Sequence, residues 1–271
     1  MRIGCCLAGA EVLPERDGGY TLRETLLAVD AMVMNAGFDY TETTVSNVLA
    51  LSEEDIAFLN EKKKAGEFHL EVCNCFIPGD LPICAGEKRE ELTAFVEKAM
   101  RRMQALGVNR VVFGSGGARR IPEDMNRDAA YDELAWFLSM CGDLGVHYGV
   151  IVAIEPLNQK ECNVFNTVAE TSAMLRRVKR VGLRFVADSY HMECENEDLS
   201  VLEENRDFLS HVHIAASTAR RYPGTVDAPY LSAFAEKLHG IGYTGRVTVE
   251  AHTSDYANEL KTAAAYARAK F

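Results

Sequence analysis

The stretch Ile151-Val152-Ala153-Ile154-Glu155-Pro156-Leu157-Asn158 is an apolar run that ends in a carboxylate, with a proline to stop the strand. A buried strand has no cheap reason to finish on a bare Glu. A desolvated charge costs several kcal/mol unless it is paired or bound to a metal. The pattern recurs three times: Leu183 to Ala187 runs into Asp188, Val212 into His213, and Val247-Thr248-Val249 into Glu250. The separations are 33 (188 − 155), 25 (213 − 188) and 37 (250 − 213) residues, about one strand-helix-strand unit each. We read Glu155, Asp188, His213 and Glu250 as one metal site.

Outward from this stretch, short apolar runs alternate with helical patterns. The other runs are Ile3 to Leu7, Asp39 to Val45, His69 to Cys75 and Arg110 to Phe113. Helical spacing of apolar residues predicts helices over about Tyr20–Asn35, Lys88–Leu106, Arg127–Leu144, Thr167–Arg180, Leu199–Asn205, Tyr230–His239 and Tyr256–Lys270. Ser52 caps a further helix, and Thr167 with Glu170 predicts a capping box. Phe76 to Gly86 and Arg220 to Pro229 read as loops. Eight strand-helix units imply a parallel sheet with helical crossovers. At 271 residues they favour a closed (β/α)8 barrel spanning 1–271 as a single domain. An open doubly wound sheet is the alternative, but its G-x-G-x-x-G mark is missing after the first run.

A net charge of −11 and a pI near 5.2 disfavour a nucleic-acid partner, because phosphate backbones want a basic face. No segment approaches the roughly 18 apolar residues of a membrane span, and the first apolar run is too short for a signal sequence. The eight cysteines include no C-x-x-C pair and read as reduced thiols, so a cytoplasmic location is expected.

In a (β/α)8 barrel, functional side chains project from the C-terminal ends of the strands, which lie roughly 4.8 Å apart. Four such side chains can converge on one ion. Three carboxylates and an imidazole suit Mn²⁺, Mg²⁺ or Co²⁺ better than a thiolate-rich zinc site would. Open positions on a six-coordinate ion could take two adjacent sugar oxygens, and the ion would polarise the carbonyl. Gly114-Ser115-Gly116-Gly117 after the fourth run permits a tight turn at the barrel mouth, with Arg119 or Arg120 near substrate. Phosphate cradling there is the weaker reading, since the Lys-Ser/Thr of a P-loop is absent. Glu42, toward the end of the second strand, would reach the mouth or face solvent, and His211 is expected to point away from the ion.

The stretches Glu155-Pro-Leu-Asn-Gln-Lys-Glu161, Asp188-Ser-Tyr-His191-Met192, His211-Val-His213, Arg220-Arg221-Tyr-Pro-Gly and Val249-Glu250 resemble the xylose-isomerase-like barrel superfamily. Within it they are most similar to the D-tagatose/D-psicose (allulose) 3-epimerases. The resemblance implies one divalent metal, Mn²⁺ first and Co²⁺ or Mg²⁺ as alternatives, on Glu155, Asp188, His213 and Glu250. It implies that Glu155 and Glu250 exchange the C3 proton on opposite faces of a ketose, through a metal-bound enediolate. Glu161, His191 and Arg220 would contact substrate hydroxyls, and relatives form dimers or tetramers. After His213 the chain reads Ile214-Ala215-Ala216, where the 3-epimerases usually have Gly-Glu. The run from there to the arginine is one residue longer.

Alternatives on the same scaffold are an inosose isomerase or dehydratase, a hydroxypyruvate isomerase and a sugar-phosphate epimerase. An endonuclease IV-like enzyme is also similar at Asp188-x-x-His191, but the additional histidines of its three-zinc site are missing here. A non-catalytic sugar-binding protein is the remaining alternative.

Overall fold

The computed structural model describes residues 1–85, 88–216 and 218–271, without the side chains of residues 85 and 218. Gly86, where the loop after the third run was expected to end, lies outside the described residues.

Eight parallel strands close into a barrel in sequence order, the first pairing with the eighth. They are β1 (Arg2–Cys6), β2 (Tyr40–Thr44), β3 (Leu70–Asn74), β4 (Arg110–Phe113), β5 (Ile151–Ile154), β6 (Leu183–Asp188), β7 (Leu209–Ile214) and β8 (Arg246–Val249). The closed barrel expected from the alternation is therefore present, and the open sheet is set aside. The α-helices are α1 (Leu22–Ala36), α2 (Val45–Ala50), α3 (Glu53–Lys64), α4 (Arg89–Ala105), α5 (Gly116–Arg119), α6 (Arg127–Tyr148), α7 (Val168–Val178), α8 (Ser189–Cys194), α9 (Ser200–Glu204), α10 (Pro229–Gly240) and α11 (Tyr256–Lys270).

Local chemistry sets the helix starts. Thr21 with Glu24, and Ser52 with Asp55, form reciprocal capping boxes that satisfy orphan N–H groups of α1 and α3. The box expected at Thr167 is only half formed. Thr167 accepts from Glu170 N at 3.1 Å, but the Glu170 carboxylate turns to Asn166 N at 2.8 Å and to the Tyr131 hydroxyl. The short helices α2, α5 and α8, absent from the sequence reading, each follow closely on a strand end. For α8 the cause is visible: Asp188 Oδ1 accepts from Tyr190 N at 2.7 Å and His191 N at 3.4 Å, so a strand-end carboxylate doubles as the N-cap.

Strand side chains alternate between the core outside the barrel and its interior. Tyr40, Val72, Val112, Ala153 and Val186 form a separate interior cluster. Two residues further along the same strands, at the C-terminal end, come Glu42, Asn74, Gly114, Glu155 and Asp188. An apolar floor thus carries a polar layer.

Helix α6 packs closely beneath this frame. A Cβ at Gly182 would lie 2.4 Å from the Gly142 carbonyl oxygen, and one at Gly145 would lie 2.5 Å from that of Val150. Both obstacles are backbone and cannot swing away. Gly182→Ala is expected to cost about 1–3 kcal/mol by overpacking, read as a lower denaturant midpoint with an unchanged m-value.

Candidate active site

Glu155, Asp188, His213 and Glu250 each offer a ligand atom, and these atoms lie within 4.8 Å of one another. His213 Nδ1 is the centre of the group, 2.8 Å from Glu155 Oε1 and 3.1 Å from Glu250 Oε2. The register accounts for the meeting: Asp188 pairs with His213, and Ile214 with Val249, so the ends of β6, β7 and β8 lie level.

The cluster lies at one side of a cavity of about 710 Å³ at the barrel mouth, which Glu155, Glu161, His191, Arg220 and Glu250 line. The far wall is apolar and comes from Val45, Leu49, Phe76, Ile77 and Phe95. All three residues expected to contact substrate therefore face this cavity. His191 is buried, and its Nδ1 accepts from the backbone N and the side-chain amide of Asn158, at 3.1 and 2.9 Å. That leaves Nε2 as the nitrogen carrying a proton; it makes no hydrogen bond among the described residues, with Asp188 Oδ2 3.7 Å away. Asn158 also donates to Glu161 at 2.9 Å, so one amide orients both residues. Arg220 lies 2.5 Å from Glu250 and 3.5 Å from Asp188. The longer run does not keep it away. Ala219 and Arg220 take the left-handed backbone conformation, with φ of 54° and 51°, and the turn carries the guanidinium over the Tyr190 ring into the site.

Three expectations need correction. Arg119 is fully buried and does not reach substrate. It donates to the carbonyls of Phe113 at 3.0 Å and Glu155 at 2.7 Å, between the rings of Phe113 and Phe165, and so ties the ends of β4 and β5 together. Arg120 is exposed and bonds the Glu161 carbonyl. Glu42 is neither at the mouth nor solvated: it is fully buried inside the barrel beneath His213. His211 does lie outside the four-residue group, but it points into the barrel, 3.1 Å from Glu42.

Charge in the site is unbalanced. Four buried or half-buried carboxylates (Glu42, Glu155, Asp188, Glu250) face one guanidinium and one imidazole, leaving at least two negative charges. Burial raises the Glu155 carboxyl above its usual range, and the neighbouring Glu250 charge adds to it. Burial also works against the charged form of Glu250, but His213 and Arg220 outweigh it and hold that carboxyl down at about 2. Against burial, the carboxylates of Glu42, Glu250 and Glu155 raise His213 well above an ordinary histidine. Asp188 Oδ2 is buried and accepts no hydrogen bond among the described residues, with Arg220 at 3.5 Å and His191 Nε2 at 3.7 Å as its nearest donors. A buried carboxylate oxygen without a hydrogen bond, converging hard donors and surplus negative charge all fit a divalent cation. The cluster can hold one.

Residues 31–270 match the family model described as xylose isomerase-like TIM barrel. The chain belongs to this family. Among curated relatives it is similar to a 3-dehydro-D-guloside 4-epimerase of Escherichia coli, 34% identical over 103 residues, 38% of each chain. It is also similar to a D-psicose 3-epimerase of Agrobacterium fabrum, 26% identical over 80% of this chain and 76% of that one. The matches to the first three curated relatives span only 36% to 39% of those proteins' lengths. In fold the chain is similar to a D-psicose 3-epimerase of Clostridium cellulolyticum, with a TM-score of 0.84 at 19% identity over 100% of this chain and 99% of that one. Among the described residues, no helix is long and apolar enough to cross a membrane.

Sequence reasoning missed Asn158 and the apolar wall. Asn158 stands inside the Glu155 stretch, three residues past the carboxylate, and its spacing to Glu161 could have drawn notice. Nothing in the sequence marked Leu49 or Phe95, which reach the cavity from helices.

Proposed function

We propose that this protein is a divalent-metal-dependent sugar epimerase or isomerase, and in the first place a ketose 3-epimerase. The observation that carries this reading is the pair of carboxylates, Glu155 and Glu250, flanking His213 Nδ1 at the polar side of the cavity. Inversion at a carbon needs one group to take a proton from one face and a second to return one to the other. Glu155 and Glu250 come from different strands and can serve one face each. His191, through Nε2–H, and Arg220 are donors for the substrate oxygens on which negative charge grows. Asn158 holds the first of these donors in place, and the apolar wall keeps bulk water from the reacting carbon. Glu155, Asp188, His213 and Glu250 would hold the ion, which when bound supplies Lewis acidity that makes the C–H beside the carbonyl easier to deprotonate. Mn²⁺ is the first choice for this donor set.

A second reading has its own support. The cavity's apolar wall gives room for a substituent beyond a single sugar, and the 4-epimerase relative acts, by its name, on a 3-dehydro glycoside. The substrate would then carry a ring ketone and invert at C4. Among the described residues lining the cavity, Arg220 is the one cation, and Glu250 already engages it. This favours an unphosphorylated sugar under either reading.

The test is a panel of free ketoses and 3-keto-glycosides with Mn²⁺, Co²⁺ or Mg²⁺ in D₂O. Deuterium at C3 of a free ketose supports the first reading, and deuterium at C4 of a glycoside supports the second. No exchange into any member would overturn both. Asp188→Asn keeps the Oδ1 acceptor that caps α8 but removes a charge. It is expected to weaken metal binding by roughly 100-fold, at the upper end of what a disturbed ligand shell costs, with little change in kcat at saturating metal. Co²⁺ titration followed by turnover assays measures both.

A further inference from the structure

We propose that Glu42 is a positioning residue for this site: its carboxylate, buried beneath His213, dictates which imidazole nitrogen faces the Glu155–Asp188–Glu250 cluster and thereby sets the metal affinity. The inference rests on the metal-site reading and extends it to a residue outside the four-ligand group.

The geometry is closed on all sides. Glu42 is fully buried. Its Oε1 lies 3.2 Å from His213 Nε2, and its Oε2 lies 3.1 Å from His211 Nε2. An ionised carboxylate has only acceptors, so both imidazoles must present Nε2–H to it. For His213 the consequence is specific. With Nε2–H engaged by Glu42, Nδ1 is the nitrogen left to face Glu155 and Glu250, at 2.8 and 3.1 Å, and it is the atom whose lone pair a bound ion would take in place of a proton. A carboxylate behind a ligating histidine fixes its tautomer and ring angle and makes it a better donor to the ion.

Glu42 is itself held. His211 Nε2 lies 3.2 Å from Thr248 Oγ1, which lies 2.7 Å from the Tyr40 hydroxyl. His211 Nδ1 is buried without a hydrogen-bond partner among the described residues, as expected of the nitrogen that carries no proton. The chain Tyr40–Thr248–His211–Glu42–His213 therefore runs from the interior floor to the site, linking β2, β7 and β8. Glu42, His211 and His213 agree on one proton arrangement.

Substitution by Gln keeps the shape and breaks this logic. An amide has one acceptor oxygen for two N–H groups, and its NH₂ set against His213 Nε2 would favour the tautomer with the proton on Nδ1, which cannot ligate. The experiment is titration of the full chain with Co²⁺, followed by calorimetry and by visible absorption, for the parent, Glu42→Gln and Glu42→Asp. Thermal unfolding without metal checks that each variant folds. The expected result is a Kd about 10–100-fold weaker for Glu42→Gln, with altered Co²⁺ absorption and an intermediate Kd for Glu42→Asp, which restores the acceptor-only group. A Glu42→Gln Kd within twofold of the parent overturns the proposal and leaves the metal-site reading intact. If Glu42→Gln does not fold, Glu42→Asp decides: parent affinity and spectrum despite the shortened side chain overturn the proposal. Failure of the parent itself to bind Co²⁺ overturns both.

Discussion

Glu250→Gln is expected to lower kcat for epimerisation by about 1,000-fold, inside the range that a positioned acid or base contributes. The change is nearly isosteric, so the cavity keeps its shape while Glu250 loses both its charge and its basicity. A sharper signature lies in the isotope pattern. If Glu155 and Glu250 each serve one face, the variant retains deuterium exchange into the epimer that Glu155 deprotonates, without inversion, and loses exchange into the other. Glu155→Gln should show the mirror result. Both measurements belong at saturating metal, because both residues also belong to the proposed ligand set and a weakened ion would mask the face selectivity. Turnover of both epimers at more than a tenth of the parent rate in either variant would sink the two-carboxylate mechanism.

Gly114→Ala carries the second large effect, with almost no change in stability. The backbone at Gly114 suits any residue, since its φ is not in the left-handed region. A Cβ there would nonetheless lie 2.4 Å from Glu155 Oε2, with its next neighbours at 3.6 Å and 3.7 Å. What must give way is the end of a flexible side chain, so folding loses little. The side chain that gives way is the proposed catalytic carboxylate. A displacement of about 1 Å at a reacting group costs roughly 100-fold in rate. We therefore expect a kcat about 100-fold lower, with an unfolding midpoint within a degree or two of the parent. At Gly182→Ala the obstacle is instead a backbone carbonyl, and stability falls. Full activity in Gly114→Ala would mean that Glu155 does not act from the position it occupies.

Both expectations start from side chains that the sequence exposes to different degrees. The barrel was legible because eight apolar runs alternate with helical periodicity, and a parallel sheet is what such alternation can bury. Glu155, Asp188, His213 and Glu250 were legible because a charge closing an apolar run is costly, and four such costs in register have one economical solution. Glu42 sits inside a polar run, Tyr40-Thr41-Glu42-Thr43-Thr44, and its role was not legible. The reading placed it at the mouth or in water, whereas closure of the barrel puts it beneath His213, 171 residues further along the chain. Arg119 was misplaced for a related reason. A guanidinium after a Gly-rich turn reads as a ligand for substrate, but the four-residue helix α5 turns it inward onto the Phe113 and Glu155 carbonyls.

The sequence by itself determined the family, the parallel barrel and the four residues that can converge on an ion, because strand period and the cost of buried charge are local properties. Only the tertiary structure decided what stands behind and across from those residues. The Glu42 and His211 brace, the amide of Asn158 between His191 and Glu161, and the apolar wall from Val45, Leu49, Phe76, Ile77 and Phe95 all depend on barrel closure, which joins segments that no sequence spacing relates.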